Sequence, residues 1–141
     1  MRTSDPRILA AGDVANAWHP VLGARSRTEH WGTAIATGKV AASTILGGDA
    51  VHDDIPYFYT GQYDLGMEFS GYASLMTSAR VVIRGDRAAR EFIAFWLHDG
   101  ALAAAMNVNM WDDGDALQAL VDKQIRVDAE TLRTADLASL V

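Results

Sequence analysis

From residue 57 onward, apolar positions alternate with polar ones, and aromatic and β-branched residues are prominent, the pattern of strands with one covered face. Five strands are predicted, over residues 57–63, 67–72, 80–84, 91–98 and 101–110. The dipeptide Asp99-Gly100 separates the last two, and it suits a type I′ turn, which needs positive φ at both positions. The strands are read as an antiparallel meander. After Trp111, the positions of Leu117, Leu120, Val121 and Ile125 define one helical face, with acidic residues at its start where the helix dipole favours them. A shorter helical turn is expected over 128–133. This part of the chain is predicted to be α+β, a five-stranded antiparallel sheet covered by C-terminal helices.

The earlier residues follow another rhythm. Residues 8–11 (Ile-Leu-Ala-Ala) read as a strand buried on both faces that runs into Gly12-Asp13. After a loop containing His19-Pro20 and Gly23, small or apolar residues recur every three to four positions at Trp31, Ala34, Ile35, Gly38, Ala41, Ala42, Ile45 and Leu46. That spacing predicts a helix with one buried face. Ser26 and Glu29 fit a capping box at its start, and Gly47-Gly48 fits its stop. One strand and one helix cannot bury their apolar faces alone, so the region is expected to be the remnant of an α/β domain whose body lies upstream. The expected division is 1–50 and 51–141, with a polar connector ending at Pro56.

Composition narrows the function. A net charge of −6 and a pI near 5.0 argue against nucleic acid as a partner, because phosphate backbones are held by clustered Lys and Arg. No apolar run approaches the roughly 20 residues that a membrane-spanning helix needs, and residues 1–7 lack the apolar segment of a secretory signal. A cytoplasmic location is expected. The absence of cysteine excludes a disulfide scaffold and a dithiol redox centre within these residues, so any redox chemistry requires a cofactor. His19, His30, His52 and His98 show no metal-ligand spacing, and neither a nucleophile elbow nor a phosphate-binding P-loop occurs. Arg80, Arg84, Arg87 and Arg90 cluster around one predicted hairpin, as a solvated face or as a dock for an acidic electron carrier. Trp96 and Trp111 are read as packing the sheet against the helices or a second subunit.

Three stretches in order carry a family resemblance: Thr3-Ser4 with Ile8, Ala10 and Gly12-Asp13; Glu29-His30-Trp31 at the next helix start; and "PYFYTGQYDLGMEFSG" from Pro56 to Gly71. Together with "VVIRGDRAAREFIAFWLHDGALAAAMNVNMWD", they resemble the C-terminal part of FAD-dependent pyridine nucleotide-disulfide oxidoreductases of the ferredoxin and rubredoxin reductase branch. The resemblance implies that Asp13 hydrogen-bonds a ribityl hydroxyl of FAD, with Gly12 allowing close backbone approach. An ionised carboxylate only accepts hydrogen bonds, which suits a hydroxyl partner. It further implies that the helix start near His30 and Trp31 faces the flavin pyrimidine edge, where its partial positive charge favours the anionic reduced flavin. Trp31 also begins the apolar stripe, so its reading stands between flavin neighbour and core anchor. Tyr59 stands where many relatives place tryptophan in a Phe-Trp-Ser-Asp sequence beside the flavin and nicotinamide. Here the sequence is Phe58-Tyr59-Thr60-Gly61, so the aromatic is retained and the acid is absent.

The Gly-x-Gly-x-x-Gly fingerprint that holds a dinucleotide pyrophosphate occurs nowhere in the chain. The implied function is therefore that of a C-terminal portion of a flavoprotein carrying electrons from NAD(P)H through FAD to a ferredoxin-type acceptor. The chain by itself is expected to be inactive, with self-association through exposed apolar surface. The competing expectation is a stand-alone, non-catalytic binding or dimerisation module.

Overall fold

The computed structural model describes all 141 residues, which divide into two compact units, Met1–Pro56 and Tyr57–Val141. The first unit contains a two-stranded antiparallel hairpin, β1 (Ala17–His19) and β2 (Ala24–Ser26), and a helix α1 (Trp31–Ile45). The hairpin was not foreseen, because three-residue strands leave too short an alternation to read. Residues 8–11, expected as a buried strand, form only a single antiparallel bridge between Arg2 and Leu9, and Ile8 is exposed. The polar backbone there is satisfied locally instead, Thr3 N–H donating to Ile8 O and Ala10 N–H to Met1 O.

The helix begins later than the capping box implies. Ser26 is used in the β1–β2 ladder opposite Ala17, and His30 takes the N-cap position, its Nδ1 accepting from Gly32 N–H at 3.4 Å. The stop is as expected, with Gly47 at φ +80 and Gly48 N–H donating to Ser43 O. The buried face is not. Thr37 and Val40 are buried, whereas Trp31, Ile35, Ile45 and Leu46 of the anticipated stripe are exposed, Leu46 at 87%. A polar Thr37 is admitted inward because its hydroxyl donates to Thr33 O at 2.7 Å and accepts from Gly12 N–H at 2.9 Å.

In the second unit the strands are β3 (Tyr57–Gln62), β4 (Leu65–Gly71), β5 (Arg80–Asp86), β6 (Glu91–His98) and β7 (Ala101–Val108). They form one antiparallel sheet in the order β3-β4-β7-β6-β5. Strand count and antiparallel sense are as expected. The order departs from a simple meander at one connection, because the chain crosses from β4 through a short helix α2 (Ala73–Met76) to the far edge and β7 returns between β4 and β6. Asp99 and Gly100 adopt φ 49 and 79, the pair of positive values that the tight β6–β7 turn requires. Tyr63 leaves the ladder and takes φ 57 in the β3–β4 turn.

On one sheet face Val82, Ile93 and Phe95 are fully buried, and the same core takes in Leu117, Leu120 and Val121 of α3 (Gly114–Asp122) and Leu132 of α4 (Ala129–Thr134). A final 3₁₀ turn, Leu137–Leu140, adds Leu137 to the core. The opposite face carries an aromatic ladder, Phe58 stacked on Phe69 at 4.9 Å between centroids and Phe69 edge-on to Trp96 at 6.0 Å. No helix is long and apolar enough to cross a membrane.

Close packing at the end of β4 gives one prediction. A Cβ on Gly71, which has φ +152, would lie 2.2 Å from Ala104 Cβ and 2.8 Å from the Ala103 carbonyl oxygen. Gly71→Ala is expected to destabilise the second unit by roughly 3 kcal/mol, read by denaturant unfolding, since the obstructing atoms belong to a central strand. A second concerns Asp128, whose carboxylate accepts from the backbone N–H groups of Glu130 and Thr131 and the Thr131 hydroxyl. Those bonds hold its carboxyl below the usual range. Its cap is therefore fully present above the ordinary carboxylate pKa and is lost as pH falls through the lowered value. In Asp128→Ala, amide exchange over 129–134 should be fast at neutral pH and show no further acid dependence from this site.

Candidate functional site

In the first unit, Gly12 has φ +70 and opens a single 3₁₀ turn, Gly12–Val14, at the level of α1. The Gly12–Thr37 hydrogen bond fixes this turn on the helix, and a Cβ on Gly12 would lie 3.7 Å from Ala34 Cβ. Asp13 follows with an exposed side chain, so its carboxylate is presented outward from a fixed backbone. Nearby in sequence to the helix start, His30 caps the first turn and Trp31 is 69% exposed. Trp31 is therefore not a core anchor of this unit. His19 and His52, far apart in sequence, come together as a buried edge-on pair with centroids 5.5 Å apart, and the His19 ring nitrogen Nε2 lies 3.2 Å from Asp54 O. No group of three or more His, Asp or Glu side chains is arranged to hold a metal ion.

In the second unit Tyr59 lies mid-strand on β3, opposite Glu68, and is 58% exposed. Its ring is tilted against Tyr57 with centroids 6.2 Å apart. Tyr57 and Glu68 were not singled out for chemistry from sequence, yet they form a defined network. The Tyr57 hydroxyl donates to Glu68 Oε1 at 2.8 Å, and Asn107 Nδ2 donates to Glu68 Oε2 at 3.1 Å and to Met110 O at 2.7 Å. The sequence carries no signal for it, because Glu68 falls on the polar phase of β4, between the apolar Met67 and Phe69.

Next to this network, Asn109 takes φ 51, its Oδ1 accepts from Gly66 N–H at 2.8 Å, and its own N–H donates to Gly66 O at 3.0 Å. These bonds turn the chain after β7 so that Trp111 lies on Gly66, where a Cβ would meet the indole at 2.5 Å. Trp111 remains 56% exposed on its outer side, so it is not buried between the sheet and the helices of this chain, the first of the two packings expected of it. The four arginines are also separated in role. Arg84 donates to Ala135 O and Arg90 pairs with Asp64, while Arg80 and Arg87 remain exposed.

Residues 57–141, the whole second unit, match the family described as Reductase C-terminal. The chain belongs to that family. Similarity extends through the first unit as well: the chain is 34% identical over 132 residues to the ferredoxin–NAD(+) reductase component of an anthranilate 1,2-dioxygenase system from Burkholderia cepacia, covering 93% of this chain and 32% of that protein. It is 35% identical over 135 residues to a 5,5'-dehydrodivanillate O-demethylase ferredoxin reductase subunit from Sphingobium, covering 95% of this chain and 32% of that one. In structure it resembles the reductase chain of a covalent putidaredoxin reductase–putidaredoxin complex, with a TM-score of 0.87 at 25% identity over 99% of this chain and 34% of that one. This Reductase C-terminal protein thus spans about a third of the length of the curated relatives it matches.

The Tyr57–Glu68 pair yields a titration signature. Burial first, then the hydrogen bond to Glu68 and its negative charge, push the Tyr57 hydroxyl up to about 12. A raised folded-state pKa stabilises the fold fully below the ordinary tyrosine value and ceases to do so as pH rises through about 12. Phenolate absorbance should show Tyr57 ionising late. Glu68→Gln should bring that midpoint part of the way back, because burial remains.

Proposed function

We propose that this chain is the C-terminal portion of an FAD-dependent NAD(P)H reductase that passes electrons to a ferredoxin-type iron–sulfur carrier. The observation that carries the reading is the fixed turn Gly12–Val14 on α1, which presents the Asp13 carboxylate outward from a backbone locked by Gly12 and Thr37. That arrangement fits the ribityl chain of FAD: an exposed acceptor for a hydroxyl, held on a turn whose glycine leaves the backbone open. His30 and Trp31 at the start of α1, and Tyr59 on β3, are assigned to the flavin surroundings. Bound FAD would supply hydride acceptance and stepwise release of electrons, while the residues of this chain position it.

The uncovered stripe of α1 supports the same reading. Trp31, Ile35, Ile45 and Leu46 form an exposed apolar surface that a self-sufficient module would be expected to bury. The nicotinamide-binding residues are assigned to the portion that the longer relatives possess and this chain does not match. The reading therefore predicts no turnover by the 141 residues alone.

The test joins this chain in frame behind the upstream two-thirds of the Burkholderia cepacia reductase component. The joined protein is expected to bind FAD and reduce an artificial acceptor with NADH, and the 141-residue chain to do neither. Asp13→Ala in the joined protein should weaken FAD about tenfold to a hundredfold, the worth of a hydrogen bond to a charged group. Unchanged FAD affinity in that variant, measured by flavin fluorescence titration, would remove Asp13 from the site. NADH turnover by the chain alone would overturn the assignment of the nicotinamide site elsewhere.

A further inference from the structure

The cleft beside β4 holds a carboxylate, Glu68, to which the flavin reading gives no role. It encloses about 490 Å³, with Tyr59, Trp111 and Met67 among its walls and the paired glycines Gly61 and Gly66 in its lining. A second lobe of about 180 Å³ shares Glu68 and Trp111 with it and adds Asp112 and Asp115. Neither lobe is lined by a lysine, arginine or histidine. The combined space lies within the usual size of small-ligand sites.

Glu68 is the point where the two lobes meet. Both of its oxygens accept hydrogen bonds from neutral donors, Tyr57 and the fully buried Asn107, which fix the carboxylate without neutralising it. No cation of the chain pairs with it, whereas Asp64 at the cleft rim is already matched by Arg90. A charge held between aromatic walls without a counter-charge is complementary to a cation that also has an apolar part. The acidic side chains are not arranged to hold a metal ion, which directs the site to an organic cation. Trp111 is suited to such a role because its ring packs on Gly66 with the other side open.

We propose that this cleft binds a small protonated amine with an apolar body, its ammonium group on Glu68 and its body against Trp111. The cleft shares Tyr59 with the proposed flavin surroundings, but Glu68 and Trp111, on which recognition of the amine rests, have no part in that reading, so the amine can be tested without flavin and apart from Asp13.

The experiment titrates the 141-residue chain with phenethylammonium at constant ionic strength and follows the Trp111 indole and Gly66 amide signals by NMR. Saturable shifts are expected at both, with neutral phenethyl alcohol binding at least about tenfold more weakly, the worth of one charge-assisted hydrogen bond. Glu68→Gln should weaken the amine about tenfold and leave the alcohol unchanged. Should that variant fail to fold, Trp111→Leu serves, since its ring is half exposed, and it is expected to weaken both ligands. Equal affinity for amine and alcohol, an amine affinity unaltered in either variant, or no saturable shift would overturn the proposal. Tighter binding of an arginine-rich peptide than of the amine would overturn the assignment to a small molecule.

Discussion

The second unit depends on one constraint: β7 is paired along both edges and covered on both faces. A strand in that position cannot carry bulky side chains throughout, and Ala103, Ala104 and Ala105 are each at most 1% exposed. The same requirement explains Gly71, which faces Ala104 across the ladder with no room for a side chain. It explains the sheet order too. Once β7 lies between β4 and β6, the β5–β6 hairpin is displaced to the far edge, and the connection through α2 must span the sheet end.

The candidate chemistry is built on that central strand rather than on a loop. Asn107 projects from β7 to hold Glu68 on β4, and Asn109, one turn-forming residue beyond the strand, holds Gly66 and so places Trp111. A polar network in this position is tolerated because each member is satisfied: Asn107 spends both amide hydrogens, and Glu68 receives a donor on each oxygen. In the first unit a hydroxyl does comparable work. Thr37 links the Gly12 turn to α1 by accepting from the Gly12 N–H.

Much of the second unit was legible in the residues themselves. Period-two alternation located all five strands to within a few residues, and Asp99-Gly100 located their tightest turn, because both signals are local. The first unit was harder. The apolar run at 8–11 indicated burial that no neighbouring strand provides, and the spacing along α1 marked an apolar stripe that is exposed while Thr37 and Val40 face inward. Periodicity records where apolar residues lie on a helix; it does not record which face the rest of the molecule covers. Among candidate site residues, Gly12, Asp13, His30, Trp31 and Tyr59 were readable from motif and order. Glu68 was not, because its significance lies in Tyr57 and Asn107, 11 and 39 residues away.

Local chemistry, then, was determined by sequence alone: strand alternation, the Asp-Gly turn, and the acidic start of the helix after Trp111. Tertiary structure decided the rest: insertion of β7 into the middle of the sheet, the meeting of His19 with His52, and the setting of Trp111 over Gly66 beside an unneutralised Glu68. The physical reason is the range of the forces involved. Backbone preference and side-chain periodicity act over a few residues, whereas burial and hydrogen-bond satisfaction are settled between segments that the chain brings together only on folding.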